Sequence, residues 1–161
     1  MTRSTNGVDV KSISNQRDKE ELIRRLKSLR PDSQRRWGTM TPHQMVCHLT
    51  DSFKAGTGEK EVSSASNVIS RTLVKWIALY LPIPWPHGVP TRPEMDQNIG
   101  GSRPVEFNRD LKELEAMIER FSQRQRDFQW HRHPLFEEMS DRDWWRWGYL
   151  HVDHHLRQFG I

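Results

Sequence analysis

From Ser140 to Gly160 the chain reads SDRDWWRWGYLHVDHHLRQFG, and the periodicity of this stretch sets the class of the whole molecule. At about 100° per residue, Trp144, Trp145, Gly148, Tyr149, Val152, Leu156 and Phe159 fill one arc of roughly 140°. A helix with one face in a core has this pattern. Ser140-x-x-Asp143 has the form of a capping box and Gly160 is the expected stop. Arg146, Asp153 and Arg157 fall on the far side and are expected to face water. His151 and His155 stack along one margin of the apolar arc, with Gln158, Trp147 and His154 fanning out beyond them.

Working back along the chain, Thr41-Pro42-His43-Gln44 gives a second clear helix start. Thr41 is the N-cap, Pro42 sits where no N–H is needed, and Gln44 completes a capping box. Met45, Val46, Leu49 and Phe53 form the apolar face of a helix ending near Gly56. A first helix is predicted from about Asn15 to Leu29, with Leu22, Ile23, Leu26 and Leu29 on one side and Pro31 blocking continuation. A further helix spans about Val105 to Arg126, with Leu111, Leu114, Ile118 and Phe121 on one side. Between these lies a long insertion: an apolar helix from about Ser64 to Leu81, then a loop from Pro82 to Pro104 holding six of the nine prolines. A loop of that length in a compact domain is often a lid or a binding edge. No stretch alternates as a strand would. The expected fold is all-α, a four-helix bundle whose long crossover between the second and third bundle helices carries the extra helix and the Pro-rich loop. Residues 1–13 read as a flexible tail and residues 14–161 as one domain.

Composition narrows the function classes. The 161 residues include 7 Trp and 6 Phe but only one cysteine, Cys47, so neither wholesale disorder nor a disulfide scaffold fits. Basic residues (25) exceed acidic ones (21), giving a net charge of +4, yet the two signs are interleaved, as in Arg17-Asp18-Lys19-Glu20-Glu21. Interleaved charge marks solvated helix faces, not the one-sided patch that nucleic acid requires. The longest nearly apolar run, Leu73 to Trp85, is broken by Lys75 and by prolines and is too short to cross a bilayer. Met1 to Asn15 lacks the apolar stretch of a signal peptide, so a cytoplasmic location is expected, without nucleic-acid or membrane partners.

The chemistry-bearing residues are the histidines. Imidazoles at i and i+4 stand about 6 Å apart on one helix face, so His151 and His155 can converge on one ion. His48, just outside the core stripe of its helix, is a third candidate. Three neutral imidazoles from two helices leave a coordination position free, the pattern of a catalytic metal site, whereas the competing reading is three core histidines that only hydrogen-bond. Such a donor set suits zinc, nickel or iron alike. Asp51, one turn after His48, is placed to orient that ring or to be a plain surface acid. Gln158 is placed to meet bound water or to serve structure, His154 to line an entrance or stand exposed, and Trp147 to pack or line a pocket. Cys47 reads as a small packed residue. His131 and His133 read as solvent-exposed, and His87 reaches the site only if the Pro-rich loop folds over it.

The segment Trp37-Gly38-x-Met40-Thr41-Pro42-x-Gln44-Met45-Val46-x-His48-Leu49-x-Asp51-Ser52-Phe53 resembles the second helix of DinB-like proteins. His151-Val152-Asp153-His154-His155-Leu156-Arg157-Gln158 is similar to their closing H-x-x-H-H-x-x-Q motif, with Leu156-Arg157-Gln158 standing where Arg-Gly-Gln is frequent. The resemblance implies a four-helix bundle, often a homodimer, holding a divalent metal on His48, His151 and His155. It further implies a metal-dependent enzyme for a small-molecule substrate, by analogy with relatives that transfer low-molecular-weight thiols or isomerise with a thiol. A metal-dependent hydrolase and a non-catalytic metal-binding or stress-response interaction protein are the alternatives.

Overall fold

The structure is a computed structural model that describes residues 10–161. Among these residues it is helical: α1 (Gln16–Leu26), α2 (Pro42–Gly56), α3 (Lys75–Tyr80), α4 (Phe107–Phe121) and α5 (Asp141–Gln158), with no strand beyond one isolated bridge between His133 and Glu137. A π-turn, Ser70–Val74, leads into α3, and a 3₁₀ turn, Pro93–Met95, sits within the Pro-rich loop. Among the described residues no helix is long and apolar enough to cross a membrane.

The helix starts follow from side chains that occupy the free N–H groups of a first turn. The Asn15 side chain accepts from the amides of Arg17 and Asp18, and both expected capping boxes are present, Thr41 with Gln44 and Ser140 with Asp143. α2 packs against α4, α1 against α5, and α2 and α5 also meet; α3 lies on α5. Leu22, Leu26, Met45, Leu49, Phe53, Leu114, Ile118, Phe121, Trp144, Val152 and Leu156 form the core between them. At the crossing of α2 with α4 and α5, the Gly56 backbone comes so close that an added Cβ would stand 2.8 Å from the Phe121 ring and 3.1 Å from that of Trp144.

Four expectations need correction. The expected tail, residues 1–13, lies largely outside the described residues, but Ile13 belongs to the core. It is fully buried, and its amide donates to the Trp145 carbonyl at 3.2 Å. The helical run of the insertion starts at Val68, because Asn67 and Ser70 cap it reciprocally at 2.8 and 2.9 Å. Ser64 and Ser66 instead donate to the Glu137 carboxylate, at 2.8 and 2.6 Å. α4 is shorter than its periodicity suggests. The Val105 amide is spent on Asp110 at 3.0 Å, and Ser122 folds its hydroxyl back on the Glu119 carbonyl at 2.7 Å. Asp153 is buried, held between Arg25 at 2.7 Å and Arg157 at 2.9 Å.

The Pro-rich loop is tied down over one end of α2 and α5. Asp51, fully buried, receives the Ser102 amide at 2.7 Å, the Ser102 hydroxyl at 2.6 Å, Gln97 Nε2 at 3.1 Å and Lys60 Nζ at 3.2 Å. Burying a carboxylate is costly without such partners, so this one residue both needs the loop and holds it.

Candidate metal centre

His48 on α2 and His151 and His155 on α5 meet where those helices approach, with one ligand-capable nitrogen from each ring within 4.8 Å of the others. His48 Nε2 and His151 Nε2 are 3.3 Å apart. The edge of a tetrahedral site with Zn–N bonds of about 2.0–2.1 Å is about 3.3–3.4 Å, so this pair stands at the separation such an ion requires. Ring centroids lie 4.9 Å apart for His48 and His155 and 5.0 Å for His151 and His155.

The outer nitrogens fix two of the tautomers. His48 Nδ1 lies 3.0 Å from the Met95 carbonyl, which can only accept, so Nδ1 carries the proton and Nε2 presents its lone pair. His155 Nδ1 lies 2.9 Å from Gln158 Oε1. The same carboxamide donates from Nε2 to the Trp37 carbonyl at 3.0 Å, which fixes its orientation and leaves Oε1 to accept from His155. His151 differs: its Nδ1 is buried without a partner. Burial lowers the pKa of His48, and burial together with repulsion from neighbouring imidazoles pushes His151 and His155 well below the ordinary value. The rings are therefore neutral donors, as metal ligation demands. Oriented Nδ1–H groups on oxygen acceptors are what holds ligand histidines in metalloproteins.

A family model described as Protein of unknown function (DUF1569) matches residues 11–160. The chain belongs to this family. Neither a curated protein nor a solved structure matches it.

Around the three rings, the DUF1569 chain assembles an aromatic wall from the Pro-rich loop and the segment before α2. Trp85 lies 5.9 Å from both His151 and His154, and His87 stacks flat on Trp37 at 4.0 Å and 8°. His154 is half-buried at this edge, 6.2 Å from His87 and 5.2 Å from His155. Trp147 faces His151 at 4.8 Å but is buried, and its ring also meets Phe53, Phe121, Trp144 and His133, so it belongs to the core as much as to the site.

Asp51 makes no hydrogen bond to His48; it anchors the loop whose Met95 does. Gln158 holds His155 instead of reaching outward. His133 is not a solvent-facing loop residue: its ring stacks on Phe136 at 4.6 Å, and Nδ1 accepts the amides of Leu135 and Phe136 at 3.2 and 3.1 Å. Cys47 is buried, with its thiol pushed up to about 12 by burial and nearby carboxylates. It shares with His43 a second cluster of three at Asp110, where His43 Nε2 sits 2.8 Å from the carboxylate. Asp110 also takes the Val105 amide and the Arg109 guanidinium, and these bonds hold its carboxyl down at about 2 despite burial. The cluster thus reads as a tie between α2 and the start of α4. Sequence reasoning missed Met95 and Trp85; only the length of the loop and its prolines pointed toward them.

Proposed function

We propose that this protein is a DinB-like, divalent-metal-dependent enzyme acting on a small molecule. In this reading α1, α2, α4 and α5 are the four bundle helices, and α3 with the Pro-rich loop is the crossover. His48, His151 and His155 hold a zinc, nickel or iron ion. The single observation that carries the proposal is the convergence of three neutral imidazoles, each with one ligand-capable nitrogen within 4.8 Å of the others, while the Nδ1–H groups of His48 and His155 are anchored on Met95 and Gln158. A divalent ion bound there supplies a Lewis acid that brings the pKa of a thiol or a water into the neutral range.

The remaining work falls to the chain. Met95 and Gln158 orient two of the ligands. Trp85, Trp37 and His87 shield the centre from bulk water and form the apolar approach that a small molecule would use. No carboxylate hydrogen-bonds to the three rings among the described residues, and Asp51 is fully engaged elsewhere. A thiol or a water of suitably lowered pKa is itself the nucleophile, and the likeness of the His48 and His151–Gln158 segments to relatives that transfer thiols favours S-transfer of a low-molecular-weight thiol, with hydrolysis as the second reading. A purely structural ion would want a closed shell of four protein ligands, but among the described residues only three ligand atoms meet at this site.

The test is metal content. Purified wild-type protein is expected to carry about one ion per chain and His151→Ala to lose most of it, since two imidazoles alone hold a divalent ion weakly. Equal metal in both, with both folded by circular dichroism, overturns the proposal.

A further inference from the structure

His43 and Cys47 stand four residues apart on α2, and Asp110 of α4 completes a group whose ligand-capable atoms all lie within 4.8 Å of one another. The arrangement repeats the logic of the three-histidine cluster, in which an i, i+4 pair on one helix meets a third donor from another. Both members of the pair aim at a single atom: Asp110 Oδ2 lies 2.8 Å from His43 Nε2 and 3.9 Å from Cys47 Sγ. The other carboxylate oxygen, Oδ1, takes the Arg109 guanidinium at 3.0 Å, and Oδ2 also receives the Val105 amide at 3.0 Å. The His43 ring is held edge-on against Phe107 at 5.4 Å and 81°. Cys47 and Asp110 are buried while His43 is partly exposed, so the group has a dry floor and a solvent-facing side.

We infer that His43, Cys47 and Asp110 form a second metal site, for a zinc-like divalent ion that takes the place of the protons directed at Asp110 Oδ2. A tetrahedral ion bound by imidazole nitrogen, thiolate and carboxylate oxygen sets N–O and S–O separations of about 3.4 and 3.6 Å, so the observed ones need change by only about 0.3–0.6 Å. On binding, the Cys47 thiol gives its proton to solvent, and the ring proton of His43 passes to Nδ1 and frees the Nε2 lone pair. Thiolate, carboxylate and neutral imidazole around a doubly charged ion make a unit without net charge, which suits so buried a position. A thiolate beside an imidazole selects zinc and its neighbours over magnesium or calcium.

Arg109 and the positively polarised starts of α2 and α4 act against a cation here. The site therefore fills when metal is supplied, after the three-histidine centre. Without an ion the same atoms form the hydrogen-bonded tie between α2 and α4; with one, coordination bonds clamp those helices together. The inference rests on this cluster alone and is independent of His48, His151 and His155.

Titration with cobalt(II), a stand-in for zinc that absorbs in the near ultraviolet when a thiolate binds it, tests the assignment. Cys47 is the one cysteine of the chain, so this absorption reports the second site whatever the three histidines do. Wild type and His151→Ala are both expected to develop the band as cobalt is added. Cys47→Ser is expected to lack it, and His43→Gln to need at least about tenfold more cobalt, since a ligand is lost. Folding of each variant is checked by circular dichroism. No band in wild type, a band undiminished in His43→Gln, or one that vanishes in folded His151→Ala would each overturn the inference. Metal content of the three-histidine centre, measured separately, leaves these outcomes unaffected.

Discussion

The Gln158 carboxamide joins three parts of the molecule: it accepts from His155, donates to the Trp37 carbonyl, and lies against Gly38. Gly38 has φ +74, and a Cβ there would stand 2.5 Å from Gln158 Nε2, so glycine is needed both for the turn and for the room it gives the carboxamide. Gln158→Leu keeps the bulk and removes the acceptor for the His155 proton. Metal affinity is expected to fall about 10- to 100-fold, measured by competition against a metal-sensitive dye on protein shown to be folded by circular dichroism. At this scale the sequence showed the ligand candidates better than their supports. His151 and His155 are visible because i and i+4 share a helix face, and Gln158 lies on the same helix. The Met95 carbonyl was invisible, since a backbone oxygen has no residue type and this one is 47 positions from His48. Asp51 was misread for a related reason: one helical turn from His48 suggests a contact, but its partners came from a loop whose path no periodicity describes.

Among the elements, α2 is the one through which the site and the core are built together, His48 on one side and Phe53 and Gly56 on another. Gly56→Ala would press a methyl group into the rings of Phe121 and Trp144. Those rings are themselves clasped by Trp130 at 4.7 and 5.3 Å and cannot withdraw. The expected loss is about 1–3 kcal/mol of stability, read from urea unfolding, with the small helix-propensity gain of alanine outweighed. The all-helical class and the starts of α1, α2 and α5 were legible because Asn15, Thr41-Gln44 and Ser140-Asp143 are local hydrogen-bonding devices that operate within four residues. The limits of α4 and of the helical run before Tyr80 were not. There, Asp110 captures an amide from the preceding loop, and Ser64 and Ser66 are drawn away by Glu137, a residue some 70 positions distant.

Across the whole molecule, acid should loosen the fold through His133. Its ring is wedged among Phe136, Trp144 and Trp147, its Nδ1 already accepts two amides, and burial with the nearby Lys75 charge pushes it down to about 3. The unfolded chain protonates this residue near its ordinary value of 6.5, while the folded chain resists. The stability contribution is therefore intact above about pH 6.5 and is lost progressively as pH falls toward about 3, by up to about 1.4 kcal/mol per unit. His133→Asn, which offers a carbonyl oxygen to the same amides, is expected to flatten this slope in urea titrations at pH 7 and pH 5; an unchanged slope would contradict it. The Met95 carbonyl carries a consequence on the same scale. His48 keeps its acceptor only while the segment from Pro82 to Pro104 stays folded down, so on the proposed reading the grip on an ion and the closure of that segment would be a single equilibrium seen from two sides. By thermodynamic reciprocity, whatever peels the segment away would then weaken retention of the ion, and stripping the ion would expose the segment to proteases.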